Sequence, residues 1–184
     1  MTKFHFNARF LARQGIIAAL YALLTFSGMG VAYGPIQFRY SEVLTWLAFY
    51  DPKNIFGLSV GCFLANMTST YGLLDMVVGT AGTLFSGLCM SRVRSKPLAA
   101  LFPAVFGFLY SAEAAWVGEI PWGLFPEVTF YIFLSQFLIV GVIGYPLTAF
   151  AEKSVVFYRI VRDDSMRPVK NFPAEKGEPA PKIS

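Results

Sequence analysis

Histidine occurs once in these 184 residues, as His5, and cysteine twice, as Cys62 and Cys89. One histidine near the N-terminus leaves no His-Glu zinc motif and no imidazole base for the interior of a bundle. Two cysteines set in apolar runs make neither a disulfide framework nor a metal-ligand set, and they read as small buried apolar side chains. No Gly-x-x-x-x-Gly-Lys loop is present, so nucleotide hydrolysis by that route has to come from another protein. No enzyme and no cofactor are expected. Charge is scarce as well, at 14% of residues against about 25% in soluble domains. With 55% hydrophobic and 17% aromatic residues, that scarcity predicts an all-α integral membrane protein. The net charge of +4 lies in short clusters between apolar runs, a pattern of topology signals that excludes a nucleic-acid surface.

Residues 1–14 carry Lys3, Arg9 and Arg13 and no acid, which predicts a cytoplasmic N-terminus. Gly15–Tyr33 is an uncharged run of 19 residues, roughly 28 Å as a helix and too long for the core of a cleaved signal peptide. On it Gly15, Ala18, Ala19 and Ala22 form one small-residue face, open at this point to two readings: packing inside its own bundle, or docking of another protein's helices. Gly34–Arg39 cannot be ordinary helix because of Pro35, and it reads as a loop folded back over the bundle, with the outward-facing Arg39 at its mouth. A short helix at Tyr40–Tyr50, a turn at Asp51–Asn54 and a helix at Ile55–Met67 follow. Gly57, Gly61 and Ala65 repeat every four residues there, so a neighbouring helix can approach closely.

Further helices are expected at Leu73–Met90, Pro97–Trp116 and Val128–Phe150, the last kinked by Pro146. Trp116 and Trp122 suit an aromatic belt beside the outer loop Val117–Glu127. The domain reading is a cytoplasmic stretch at 1–14, a six-helix transmembrane domain at 15–150, and a basic cytoplasmic tail at 151–184 with a mostly disordered composition. With six spans and both ends inside, 14 of the 15 Lys and Arg fall on the cytoplasmic side. Fusing the second and third helices would move Arg92, Arg94 and Lys96 outside and break the charge rule, so six spans is the better count. No fixed-period repeat and no inverted two-half duplication is visible.

Polar groups in apolar runs are costly and mark candidate sites. Glu42, Asn66, Asp75, Glu113 and Gln136 all fall in the outer half of their helices, which predicts a shared outward-opening cavity. Each could instead snorkel or pair structurally, and for Asp75 alone that is the favoured reading. Glu113, flanked by Ala112, Ala114 and Ala115 with no cation in its own helix, is the stronger site candidate. Arg39 and Glu42 are three residues apart, and a local ion pair there is compatible with ligand binding.

The segments Gly34–Leu44 (GPIQFRYSEVL) and Gly61–Asn66 (GCFLAN), with Leu74-Asp75 followed by Gly79, resemble the QueT family. These are substrate-binding S components of energy-coupling-factor (ECF) transporters for queuosine precursors. The resemblance covers about Gly15–Phe150, and at the place of the family's Gly-Glu pair early in the last helix this chain has Ser135-Gln136. It implies capture of a 7-deazaguanine from outside, in a bacterial plasma membrane. It also implies a membrane coupling protein and two cytoplasmic ATPases as partners, with Gly15, Ala18, Ala19 and Ala22 as the docking face. A deazaguanine offers adjacent N–H donors that suit a carboxylate and a flat face that suits an aromatic. The expected binding set is Gln37, Arg39, Glu42, Asn66, Glu113, Trp116 and Gln136. Alternative readings are an S component for another heterocyclic vitamin, or a stand-alone secondary transporter or small channel.

Overall fold

The computed structural model describes residues 8–28, 38–69, 71–154 and 157. Among these residues all regular structure is helical. The chain forms α1 (Ala8–Ser27), a 3-10 turn (Tyr40–Thr45) running into α2 (Trp46–Tyr50), α3 (Asn54–Asn66) and α4 (Leu73–Arg92). Then come α5 (Lys96–Phe106), α6 (Phe108–Trp116), α7 (Phe125–Gln136), a π-helical stretch (Phe137–Gly144) and α8 (Tyr145–Ala151). The stretches Ala8–Ser27, Leu73–Arg92, Lys96–Trp116 and Trp122–Ala151 are each long and apolar enough to cross a bilayer, and Asn54–Asn66 is a shorter apolar helix. The protein is a multi-pass membrane protein.

At Ala8, the first described residue, the chain is already helical, seven residues before the uncharged run, and Arg13 and Gln14 in this stretch are good helix formers with partners of their own. The Arg13 guanidinium pairs with the buried Asp51 at 3.1 Å. Gln14 donates to Asn54 Oδ1 at 3.3 Å and accepts from the Gly57 N–H at 2.9 Å. These bonds tie the start of α1 to the start of α3, and the two helices then run in close contact. A Cβ on Gly61 would lie 2.8 Å from the Ala18 carbonyl oxygen and 2.7 Å from Tyr21 Cβ, so only glycine permits this approach. The close neighbour expected for the α3 glycines is therefore α1.

That packing divides the small-residue face. Ala18 and Ala22 are buried in the bundle, whereas Gly15 and Ala19 point outward among the exposed Leu11, Ile16, Leu20 and Leu23. The four do not share one outward face, because the stripe straddles the edge of the α1–α3 contact.

Two interruptions shape the later helices. Pro103 in α5 cannot donate to the carbonyl four residues back, and the helix breaks at Gly107 before resuming as α6. Pro146 acts similarly. The kink expected there takes the form of the wide π turn ahead of it, which absorbs the missing donor. The Trp46 indole N–H donates to the Val140 carbonyl within that turn at 2.9 Å, which pins α2 to the last helix.

The two ends of the bundle differ in chemistry. At one end Lys96 pairs with Glu152 at 2.6 Å, Tyr50 donates to the same carboxylate at 2.8 Å, and Arg13 meets Asp51. At the other end Asn66, Asp75, Glu113 and Glu119 gather with no lysine among the described residues. The expected Gly34–Gln37 part of the loop, most of the basic tail and the early N-terminus lie outside the described residues.

Candidate functional site

The 3-10 turn carries the centre of the site. Its tight geometry turns Ser41, Glu42 and Thr45 inward, and all three are buried. Glu42 accepts the Tyr21 hydroxyl at 2.5 Å, a bond from the buried face of α1, and Ser41 accepts from Thr25 Oγ1 one turn further along at 2.8 Å. A carboxylate in this interior costs several kcal/mol unless it is compensated, and a charge-assisted bond from a buried phenol supplies part of that compensation.

Arg39 is wholly buried rather than exposed at a mouth, because its guanidinium lies over the Tyr110 ring, 4.9 Å from the centroid, and near Glu42. A guanidinium disperses its charge over a plane, which lets it stack on an aromatic face where an ammonium would be poorly solvated. The α6 helix thereby closes on the 3-10 turn.

A cleft opens beside these groups, lined by Glu42, Thr83, Ser86, Phe106, Tyr110 and Gln136 among others. Its volume is about 10 Å³, room for about one water molecule and far below the several hundred Å³ of pockets that hold drug-sized ligands. Gln136 stands at the last α-helical position before the π turn, which brings its amide into the cleft opposite the 3-10 turn. Pro103 lines the same cleft, so the break it causes in α5 and α6 lies beside the site.

A second polar group lies beyond Tyr110. Glu113, one turn further along α6, is buried to 5% exposure, and neither of its carboxylate oxygens has a hydrogen-bond partner among the described residues. Its carboxyl faces that of Asp75 at a range where one shared proton would bond the two, although as two carboxylates neither can donate. Asp75 accepts from Ser69 Oγ, and Asn66 Nδ2 donates to the Asp75 carbonyl at 3.1 Å. Tyr71 stands just outside the spans. Its phenol is pushed above the ordinary range by partial burial and then by the carboxyls of Glu119, Asp75 and Glu113.

The expected set is thus only partly assembled. Glu42 and Gln136 line one cleft with Tyr110, whose ring lies under the Arg39 guanidinium, while Asn66 and Glu113 meet at Asp75. Gln37 lies outside the described residues. Trp116 is 80% exposed and stays with the exposed Trp122 at the surface, so the aromatic beside Glu42 is Tyr110. Three residues from Glu113 was near enough on a helical wheel, but the bundle buries the Glu113 side of α6 and not that of Trp116. Tyr21, Thr83, Ser86 and Tyr110 were not in the expected binding set. The available signal was the stripe Gly79, Gly82, Thr83, Ser86 and Gly87 on α4, too polar for a purely apolar packing face.

The model of the QueT transporter family matches residues 11–153, which include every element that builds this site. The chain belongs to the QueT transporter family. A 71-residue stretch is 44% identical to the queuosine precursor transporter QueT of Lactococcus lactis subsp. cremoris (strain MG1363). That match covers 38% of this chain and spans about two fifths, 41%, of the relative. No solved structure matches. Within this QueT-family chain the matched region ends at Lys153, beside Glu152, whose carboxylate holds Tyr50 and Lys96. Residues 154–184 lie beyond it.

Proposed function

We propose that this chain is the substrate-binding membrane subunit of an ECF transporter, and that it captures a queuosine precursor, a 7-deazaguanine base, from outside the cell for ATP-driven uptake. Family membership supports a transporter, and the name of the Lactococcus relative supports the ligand class. The observation that carries the reading to this chain is the convergence of Glu42, Gln136 and Tyr110 on one interior cleft.

The chemistry fits in outline. The adjacent N–H donors of a deazaguanine edge suit the Glu42 carboxylate, the Gln136 amide both donates and accepts toward the remaining ring positions, and the Tyr110 ring offers a flat apolar surface. Glutamine at position 136 gives a neutral partner where the family resemblance leads one to expect a second carboxylate. Because the cleft has room for about one water, entry of a bicyclic base requires the 3-10 turn, α6 and α7 to separate. The back-folded loop, with Gln37, is placed by this reading over the ligand.

Energy comes from partners in this reading: a membrane coupling protein and two cytoplasmic ATPases. Gly15 and Ala19, on the outward side of α1, are the docking positions that remain accessible. Six spans in a bacterial plasma membrane, with both termini cytoplasmic, place the Lys96–Glu152 end inside and the Asp75–Glu113 end outside. Single cysteines at 68 or 119, in a chain freed of Cys62 and Cys89, should then react with an impermeant thiol reagent on intact cells, and Ser95→Cys should not. Calorimetric titration of the purified chain with 7-deazaguanines, with mass spectrometry of whatever co-purifies, tests the ligand. Uptake by vesicles that hold this chain and no ATPase would instead identify a stand-alone transporter.

A further inference from the structure

The acceptors at the Asp75–Glu113 end outnumber the donors. Glu113 Oε1 and Oε2 and Asn66 Oδ1 are all buried without a hydrogen-bond partner among the described residues. Asn66 is oriented by its own amide N–H, which donates to the Asp75 carbonyl, so its oxygen is the atom left over. Buried polar atoms are rarely left without a partner, and three unused acceptors on the two residues that meet at Asp75 indicate a missing donor rather than a missing acceptor. The charges lean the same way. Among the described residues, the buried acids and cations around Tyr110 and Glu113 are the three carboxyls Glu42, Asp75 and Glu113 and the one guanidinium Arg39. Glu119, closer to the surface, adds further negative charge.

We infer that Asp75, Glu113 and Asn66 form a subsite for a positively charged primary amine carried by the ligand. An ammonium presents three N–H donors and no acceptor, which answers this surplus, and it relieves the repulsion between two carboxylates that face each other. Tyr110 and Glu113 lie one turn apart on the same face of α6. A flat ring against Tyr110 therefore directs a short substituent toward the carboxyl pair. Asp75 becomes a binding group in its own right. The Tyr71 phenol, raised partly by the same carboxyls, is consistent with a negative field at this end.

This inference rests on the base-binding reading above, and one experiment separates the two. The purified full-length chain is titrated with 7-aminomethyl-7-deazaguanine and with the uncharged 7-cyano-7-deazaguanine, as wild type and as Glu113→Gln and Asp75→Asn. The wild type should prefer the amine by about 10- to 150-fold, the range for one charge-assisted hydrogen bond. Each variant should lose most of that preference while its affinity for the nitrile changes by less than about threefold. Equal wild-type affinities overturn the subsite and leave the base-binding reading intact, and so does a preference that survives both substitutions. Binding of neither probe overturns both. Should one variant fail to fold, the other carries the assignment, and equal wild-type affinities overturn the subsite in either case.

Discussion

The Tyr21 hydroxyl donates to the Glu42 carboxylate at 2.5 Å, joining the middle of α1 to the turn that begins the second helical segment. Both residues are buried, and Thr25, one turn along α1, makes a parallel bond to Ser41. The turn that carries Glu42 is thus held by α1, the helix whose opposite side is exposed. Any movement of α1 is transmitted to the Glu42 carboxylate.

Replacing Tyr21 with Phe keeps the ring and removes the donor. The Glu42 carboxylate then stays buried with one charge-assisted bond fewer, a loss of about 1.5–3 kcal/mol. Thermal unfolding of the detergent-purified chain should show a clear decrease. An unchanged midpoint would mean that Glu42 does not depend on this bond.

The α1–α3 contact predicts a second effect. A side chain at Gly61 meets the backbone of Ala18 and the Cβ of Tyr21, neither of which can rotate away. Gly61→Val should destabilise by about 1–3 kcal/mol through overpacking, and it should weaken ligand binding because Tyr21 moves with α1. By contrast, Gly15→Val should be nearly neutral for folding, since nothing lies near that position. Equal losses for the two would contradict the packing described here.

The helices were legible in the sequence because turn residues bound nearly every apolar run, as at Asp51-Pro52-Lys53 and at Ser95-Lys96-Pro97. The continuation of α1 back through Gln14 and Arg13 to Ala8 was not, since hydropathy registers the uncharged run and cannot register Arg13 and Gln14 finding Asp51 and Asn54 across the bundle. Glu42, Asn66, Glu113 and Gln136 stood out because each is costly in an apolar run. Tyr21 and Tyr110 did not, because a tyrosine among aliphatics reads as one more apolar ring until its hydroxyl partner is known. The division of the small-residue stripe on α1 and the exposure of Trp116 were illegible for a shared reason: spacing of three or four fixes a face to within about a third of the helix circumference, too coarse where that face meets a boundary.

At the other end of the bundle, Asp51 is wholly buried and held by Arg13 and by the Lys53 backbone N–H at 2.9 Å. Arg13→Ala would strand the carboxylate, with an expected loss of about 3–5 kcal/mol. The double variant Arg13→Ala, Asp51→Ala should recover part of it. A double variant less stable than the sum of both singles would show that the pair is not coupled in this way.

The sharpest test of the site sets Tyr110 against Trp116. Both lie on α6, and a ring within reach of Glu113 would serve a flat base in either case. The structure separates them: Tyr110 lines the cleft with Glu42 and Gln136 and lies under the Arg39 guanidinium, while Trp116 is largely exposed at the end of the helix. Loss of an aromatic that stacks on a base costs about 1–3 kcal/mol, or about 5- to 150-fold in affinity. Tyr110→Leu keeps most of the buried volume and should weaken 7-deazaguanine binding within that range. Trp116→Ala should change it by less than about twofold, within the usual effect of surface substitutions. The hydroxyl is a minor part of the effect, since its contact with the Gly79 carbonyl is long at 3.5 Å, and Tyr110→Phe should therefore bind almost as well as wild type. Calorimetric titration of the three variants decides between the rings: a large loss at Trp116 with none at Tyr110 would move the base out of the cleft and toward the outer rim.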